Sequence, residues 1–194
     1  MVGYSLQMSG DWLEALAAVL HGMGQDPAAV VPDALGAALA PLVQRADCPR
    51  AVEIGGGTAG YRRYALRRVS GSGFDCVLIV WSAAARAPLH DHGGLWGVEL
   101  VLDGALGVDE FTASALAVAR RAQPRCSRLL GPGDAVSFGT HDYAHRWRNL
   151  STRAPALSLH VYGGTLAHYR VFRRDAGAGH RAHTAPAAID AVLP

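Results

Sequence analysis

His90 and His92 stand two residues apart in Leu89-His90-Asp91-His92-Gly93. On extended backbone this spacing turns both imidazoles to one face, where their ring nitrogens can converge on a divalent metal. The pair alone reads equally well as two loop histidines in water. A second polar row follows in Ser158-Leu159-His160-Val161-Tyr162, where alternation puts Ser158, His160 and Tyr162 on one face and Leu159 and Val161 on the other. A strand with one face in solvent would show the same alternation.

The surroundings of the two histidines resemble the motifs of the cupin superfamily, over roughly residues 60 to 172. After His92 come four residues, Gly97, six more and Gly104, which is the first cupin motif with its Glu replaced by Gly97. The second motif ends in His, three residues, Asn. Here it is met by His145 and Asn149, downstream of the turn Pro132-Gly133-Asp134. The resemblance makes His145 the third ligand. Three neutral imidazoles leave a divalent ion its full charge and up to three open positions, which suits an anionic chelating substrate together with dioxygen. Glu99, two residues past the vacant slot, returns as a ligand if the strand bulges there.

Tyr61-x-Arg63, His90-x-His92, His145 and Ser158-x-His160-x-Tyr162, in this order and spacing, resemble the cysteine dioxygenase family, which includes mercaptopropionate and mercaptosuccinate dioxygenases. The resemblance implies one Fe(II) per chain on His90, His92 and His145, and a substrate thiolate oxidised by O2 to the sulfinate. It implies catalytic roles for Ser158, His160 and Tyr162, with the phenol as donor, and substrate binding by Tyr61 and Arg63. Arg63 matches the arginine that pairs with the substrate carboxylate, a two-pronged task suited to a guanidinium. Arg170 lies near the carboxylate-binding arginine of the mercaptopropionate branch and reads otherwise as a surface residue. Both arginines together would suit a dicarboxylate thiol such as mercaptosuccinate; one alone suits cysteine or 3-mercaptopropionate.

Two departures stand out. Where animal cysteine dioxygenases carry a cysteine crosslinked to the tyrosine matching Tyr162, this chain has Gly97, so Tyr162 is expected to remain a free phenol. Gly163-Gly164 follows Tyr162 as in the mercaptopropionate branch. A three-histidine zinc hydrolase site and a non-catalytic cupin binding a small acid are the alternative functions. Trp96 and Trp147 flank the ligands and are expected to wall the pocket or to be core aromatics. His141 is expected to be structural or on the surface, and Cys76 to lie in the core.

Positioning these groups calls for strands. From about residue 50 the chain breaks into short β-type runs, 61–69, 76–81, 97–102, 135–138 and 156–162, separated by turn signals such as 71–73, 102–104 and 131–134. The expected fold is mainly β: a cupin, a jelly-roll-like barrel, with a short helical N-terminal segment. In one domain spanning 1–194, the helical preface covers 8–45, with a helix capped by Ser9 or Asp11 and another starting at Pro32. The barrel covers 50–173, and the Ala-, His-, Gly- and Pro-rich tail 174–194 is expected to lack structure.

Bulk properties agree with such a domain. The 194 residues are 50% hydrophobic and 18% charged, with a formal net charge of +2 carried by arginine alone on the basic side. That balance argues against a nucleic-acid partner. The three cysteines are odd in number and widely spaced, which argues against a disulfide framework and for a reducing compartment. No apolar run reaches 18 residues and the N-terminus does not read as a signal peptide. The expectation is a cytoplasmic enzyme, monomeric or a small homo-oligomer, with a small thiol and O2 as partners and no membrane.

Overall fold

The computed structural model describes residues 8–55, 59–67, 69, 73–116, 123–175 and 179–193. Helix α1 (Gly10–Gly22) is capped by Ser9, whose hydroxyl accepts from Trp12 N–H, and it buries Trp12, Leu13, Leu16 and Leu20. Helix α2 (Pro32–Leu39) opens on a proline at its first position and gives way at Pro41 to a 3-10 turn, Ala40–Gln44. Proline lacks the N–H an α-helix needs there. The Trp12 indole donates to Leu42 O at 3.3 Å and ties α1 to that turn. A third, short helix, α3, spans Ala51–Ile54.

The eleven strands among the described residues fall into two facing sheets and a hairpin that extends one of them. Strands β1 (Tyr61–Leu66), β2 (Asp75–Trp81), β3 (Gly97–Asp103), β6 (Ala135–Phe138), β8 (Ala156–Tyr162) and β11 (Ala191–Leu193) form a sheet in the order β11-β1-β2-β8-β3-β6. Strands β4 (Leu106–Thr112), β5 (Cys126–Leu130) and β7 (Tyr143–Asn149) form a second, ordered β5-β4-β7, and β9 (His168–Arg174) pairs with β10 (His180–Pro186). A four-residue helix, α4 (Ala113–Leu116), follows β4.

The larger sheet is buried on both faces, which settles the reading of the polar row. Leu78, Val80, Val98, Leu100, Leu157, Leu159 and Val161 pack on one face against Trp12, Leu16, Leu35 and Leu39 of the helices. The opposite face carries Val77, Ile79, Trp81, Val101, Val136, Phe138 and Tyr162 and looks toward the second sheet. Each buried leucine or valine contributes about 1.5–3 kcal/mol. Ser158, His160 and Tyr162 therefore face a closed interior, not solvent; they are 0%, 2% and 2% exposed.

The tail departs from expectation. Instead of lacking structure, its described residues contribute β10, paired antiparallel to β9 from His180↔Arg174 to Pro186↔His168, and β11, paired parallel to β1 through Tyr64↔Ala191 and Leu66↔Leu193. Neither strand has a hydrophobic alternation of its own. Their backbone groups are satisfied by edges already present, a non-local pairing that local composition does not reveal. The first two residues of the turn expected at 71–73 lie outside the described residues.

Candidate metal centre

The stretch Pro88–Asp91 is not a regular strand, yet backbone hydrogen bonds hold it on both sides. His90 N–H donates to His145 O at 2.9 Å and His145 N–H to His90 O at 2.8 Å. On the other side Phe172 N–H donates to Leu89 O at 2.8 Å and Asp91 N–H to Arg170 O at 3.0 Å. The stretch thus joins β7 to β9 and makes His90 and His145 direct cross-strand partners. Such a pair presents both side chains on one face. His92 arrives two residues later, and one donor atom of each imidazole lies within 4.8 Å of the others.

These nitrogens fit a metal. His90 Nδ1 lies 2.8 Å from Pro88 O, which leaves Nε2 to face its neighbours. Both ring nitrogens of His92 and Nε2 of His145 are buried without a hydrogen-bond partner among the described residues. Buried polar atoms are rarely left unpaired, and three convergent imidazoles are a donor set for a first-row divalent ion. Burial, and then the neighbouring His92, pushes His90 from 6.5 down to about 4; burial likewise holds His145 well below its ordinary value. Both rings are therefore neutral near pH 7, with lone pairs available.

Behind the histidines runs a hydrogen-bond line along the inner face of β8. Trp81 Nε1 lies 2.9 Å from Ser158 Oγ, Ser158 Oγ 2.7 Å from His160 Nε2, and His160 Nδ1 3.2 Å from Tyr162 Oη. An indole N–H only donates. Ser158 accepts it, and the direction at His160 is set from the other side: Nδ1 lies 2.8 Å from the acceptor-only Glu99 Oε1 and gives its hydrogen there, so Nε2 accepts from Ser158. Burial, and then the Glu99 carboxylate, holds the Tyr162 phenol well above 10. Tyr162 is thus a protonated phenol at neutral pH.

Gly97 is required by its surroundings. A β carbon there would lie 2.4 Å from Phe138 Cζ and 2.9 Å from Tyr162 Cδ1. The ring of Phe138 fills the space that a glutamate or a crosslinking cysteine would take. Glu99 is placed on the same face of β3 without any bulge between the two, since Gly97↔Tyr162 and Glu99↔His160 are in continuous register. It is fully buried, with Oε1 2.8 Å from His160 Nδ1 and 3.4 Å from His92 Nε2. Burial would raise its pKa, but His145, His160 and His92 around it hold it well below the usual carboxylate range.

In front of the line lies a cavity lined by Tyr61, Arg63, Trp81, His90, His145, Trp147, His160, Tyr162 and Tyr169, among others. Arg63 is 9% exposed, and no carboxylate is within ion-pair distance of its guanidinium among the described residues. Its backbone N–H donates to Asp190 at 2.8 Å, so the tail helps set β1. Arg170 does not line the cavity. Neighbours on β9 alternate, and because Tyr169 points inward Arg170 points out, with Nε 2.5 Å from Asp91 Oδ2 and its side chain 55% exposed. The carboxylate-binding place considered for it is thereby corrected: Arg170 braces the aspartate between His90 and His92. Trp147 walls the cavity, whereas Trp96 packs on Phe74 in the helix-covered core and donates to Pro27 O at 2.9 Å. His141 is exposed and Cys76 buried, as expected.

Trp81, Tyr169, Phe138 and Asp91 were not singled out in the sequence. Trp81 and Tyr169 were legible in principle as inward positions of their strands; the approach of Phe138 to Gly97 follows only from β6 pairing with β3.

The family described as Cysteine dioxygenase type I matches residues 59–175, more than half of the chain. The protein belongs to the cysteine dioxygenase type I family. Within that family the two facing sheets are a jelly-roll-like cupin fold without a closed barrel, preceded by the helical segment, and the three histidines are a group that could hold a metal ion. No curated protein matches the chain. Among solved structures, similarity extends to KdgF from Halomonas sp. (19% identity, 53% of this chain and 77% of that one, TM-score 0.42). It extends also to TT1209 from Thermus thermophilus (23%, 53% and 82%, TM-score 0.40). A cupin-superfamily sugar phosphate isomerase from Silicibacter pomeroyi is similar as well (18%, 70% and 81%, TM-score 0.45). No helix among the described residues is long and apolar enough to cross a membrane.

Proposed function

We propose that the protein is a non-haem iron thiol dioxygenase that converts a small thiol bearing one carboxylate, with O2, to the corresponding sulfinate. The observation that carries this reading is Arg63: a buried arginine without a carboxylate partner among the described residues, in the same cavity as the imidazoles of His90 and His145. A buried cation of this kind is matched by an anionic ligand, and a guanidinium takes a carboxylate two-pronged.

Iron held by His90, His92 and His145 would acidify the thiol and supply the redox chemistry with O2. The residues divide the remaining work. Arg63 holds the carboxylate at one end of the cavity, so the sulfur falls toward the histidines. Trp81, Trp147, Leu166 and Tyr169 exclude water, and Tyr162, which lines the cavity, keeps its hydrogen at Oη, where it donates to Glu99 Oε1 at 3.4 Å. The reaction balances without an external reductant: RS⁻ and O2 give RSO2⁻, with sulfur losing four electrons and both oxygen atoms ending on it.

The test is oxygen uptake and sulfinate formation by Fe(II)-loaded protein with cysteine, 3-mercaptopropionate, mercaptosuccinate and cysteamine. One O2 consumed per sulfinate formed, with a monocarboxylate thiol turned over best, is the expected result. Cysteamine as the best substrate would remove the role of Arg63. Stoichiometric zinc in the purified protein, with no iron-dependent oxygen consumption, would overturn the proposal as a whole.

A further inference from the structure

Behind the wall of the cavity, the outer face of β7 borders a second, open groove of about 610 Å³, within the size range of small-molecule sites. Arg146 and Arg148 come to it from β7, Arg173 and Arg174 from β9, and Arg86 from the residues leading to Pro88. Asp109 is the one carboxylate that lines the groove with them. Strand alternation separates this face from the centre: His145 and Trp147 line the inner cavity, so Arg146 and Arg148 look away from it. The two spaces share only Ala87 and Trp147, and none of the three metal-site histidines lines the groove.

The arginines are held in place. Asp109 is 5% exposed and accepts from Ser127 Oγ at 2.7 Å, Arg146 Nε at 2.9 Å and Arg148 Nη1 at 3.0 Å, which fixes two guanidiniums over β4. Gly107 makes room for one of them, since a β carbon there would lie 3.0 Å from Arg148 Cζ. Arg86 is the direct antiparallel partner of Arg148. Like charges opposite one another are destabilising, and an anion between them removes that cost. Arg86, Arg173 and Arg174 have no carboxylate within ion-pair distance among the described residues. His180, also at the groove, keeps Nδ1 buried without a hydrogen-bond partner among them.

We propose that this groove binds a small organic phosphate carrying at least two phosphoryl groups. Guanidinium forks match phosphate oxygens two-pronged, and a single carboxylate would leave most of these arginines unmatched. Nucleic acid fits less well. The aromatic rings at the groove, Trp147 and Phe172, are 1% and 8% exposed and give bases no face to stack on.

The test reads binding without turnover, so its outcome is separate from that of the dioxygenase reading. Fructose bisphosphate is titrated calorimetrically into Co(II)-loaded wild-type protein at about 0.15 M salt, where diffuse surface attraction is screened. A dissociation constant below ~1 mM is expected, and a weaker one overturns the proposal. Arg86→Gln and Arg173→Gln are each expected to weaken binding at least about tenfold, through loss of charge-assisted hydrogen bonds. Arg45→Gln, an exposed arginine beside the 3-10 turn of the helical segment, is expected to leave it within about twofold.

The variants remove exposed side chains, and circular dichroism checks that they fold. Undiminished affinity in the folded double variant, Arg86→Gln with Arg173→Gln, places the phosphate elsewhere and overturns the proposal. Two further titrants decide the class of ligand: tricarballylate, a tricarboxylate, and a short single-stranded oligodeoxynucleotide. Both are expected to bind more weakly than the bisphosphate, and tighter binding of either one overturns the assignment to a small organic phosphate.

Discussion

The Trp81 indole donates to Ser158 Oγ at 2.9 Å, which anchors one end of the hydrogen-bond line along the inner face of β8. At the other end His160 Nδ1 gives its hydrogen to Glu99 Oε1 at 2.8 Å, so Nε2 accepts from Ser158, whose oxygen accepts from Trp81. Trp81→Phe keeps most of the packing and removes that anchor. A fall of about tenfold in kcat with KM held is expected, in line with loss of an outer hydrogen bond at a metal site. Steady-state oxygen uptake gives both parameters, and a change in KM alone would detach the line from the chemistry.

Gly97 has no room for a side chain. Gly97→Cys is expected to destabilise the protein by about 1–3 kcal/mol, as overpacking does, because its β carbon would meet Phe138 at 2.4 Å. Chemical denaturation measures the loss. Intact mass reports whether two hydrogens have been lost to a thioether with Tyr162; the expected spectrum shows none, since Phe138 stands in the way.

Arg63 and Arg170 separate pocket from surface. Arg63→Met is expected to raise KM for a carboxylate thiol by at least ~30-fold, the cost of about 2 kcal/mol for truncating one side of a buried charged pair. Arg170→Met, with its guanidinium on Asp91 outside the cavity, is expected to leave KM within about twofold, since exposed ion pairs contribute about 0–1 kcal/mol. The reverse ranking would mean that the thiol approaches from the β9 side.

The pH response follows from burial. His90 titrates near 4 in the folded protein against 6.5 when free. Between those values the unfolded chain takes up a proton that the folded one refuses. The stability due to the neutral imidazole is therefore complete above 6.5, declines as pH falls, and is fully lost by about 4. The slope is at most about 1.4 kcal/mol per pH unit for one such group. Urea unfolding of the metal-free protein at steps from pH 7.5 to 4 checks this, and an increase in stability on acidification would contradict it.

Much of the centre was legible because strand geometry is local. His90-x-His92 and Ser158-x-His160-x-Tyr162 put their side chains on common faces by a period of two; His92, Ser158, His160 and Tyr162 are buried, and the half-buried His90 lines the cavity. The helical preface was legible from Ser9, Pro32 and the apolar spacing between them. Arg170 and Trp96 were not, because which side of a strand or loop faces the cavity depends on pairing. Tyr169 taking the inward place on β9 turns Arg170 out, and Gly163 lying under the Trp96 ring draws that indole toward the helices.

The His90 and His92 pair and the polar row on β8 were written in the chain itself, since residue type and spacing determine what a strand can offer, while His145 and the missing carboxylate were implied by the resemblance to the cupin motifs. Long-range pairing decided the rest. β6 against β3 puts Phe138 over Gly97, β8 against β3 sets His160 opposite Glu99, and β11 beside β1 gives the tail a place. Those contacts join residues far apart in sequence through backbone hydrogen bonds that any residue can make, so the amino-acid order does not announce them. They are also what brought an isolated glutamate two residues past a vacant motif into the middle of the centre.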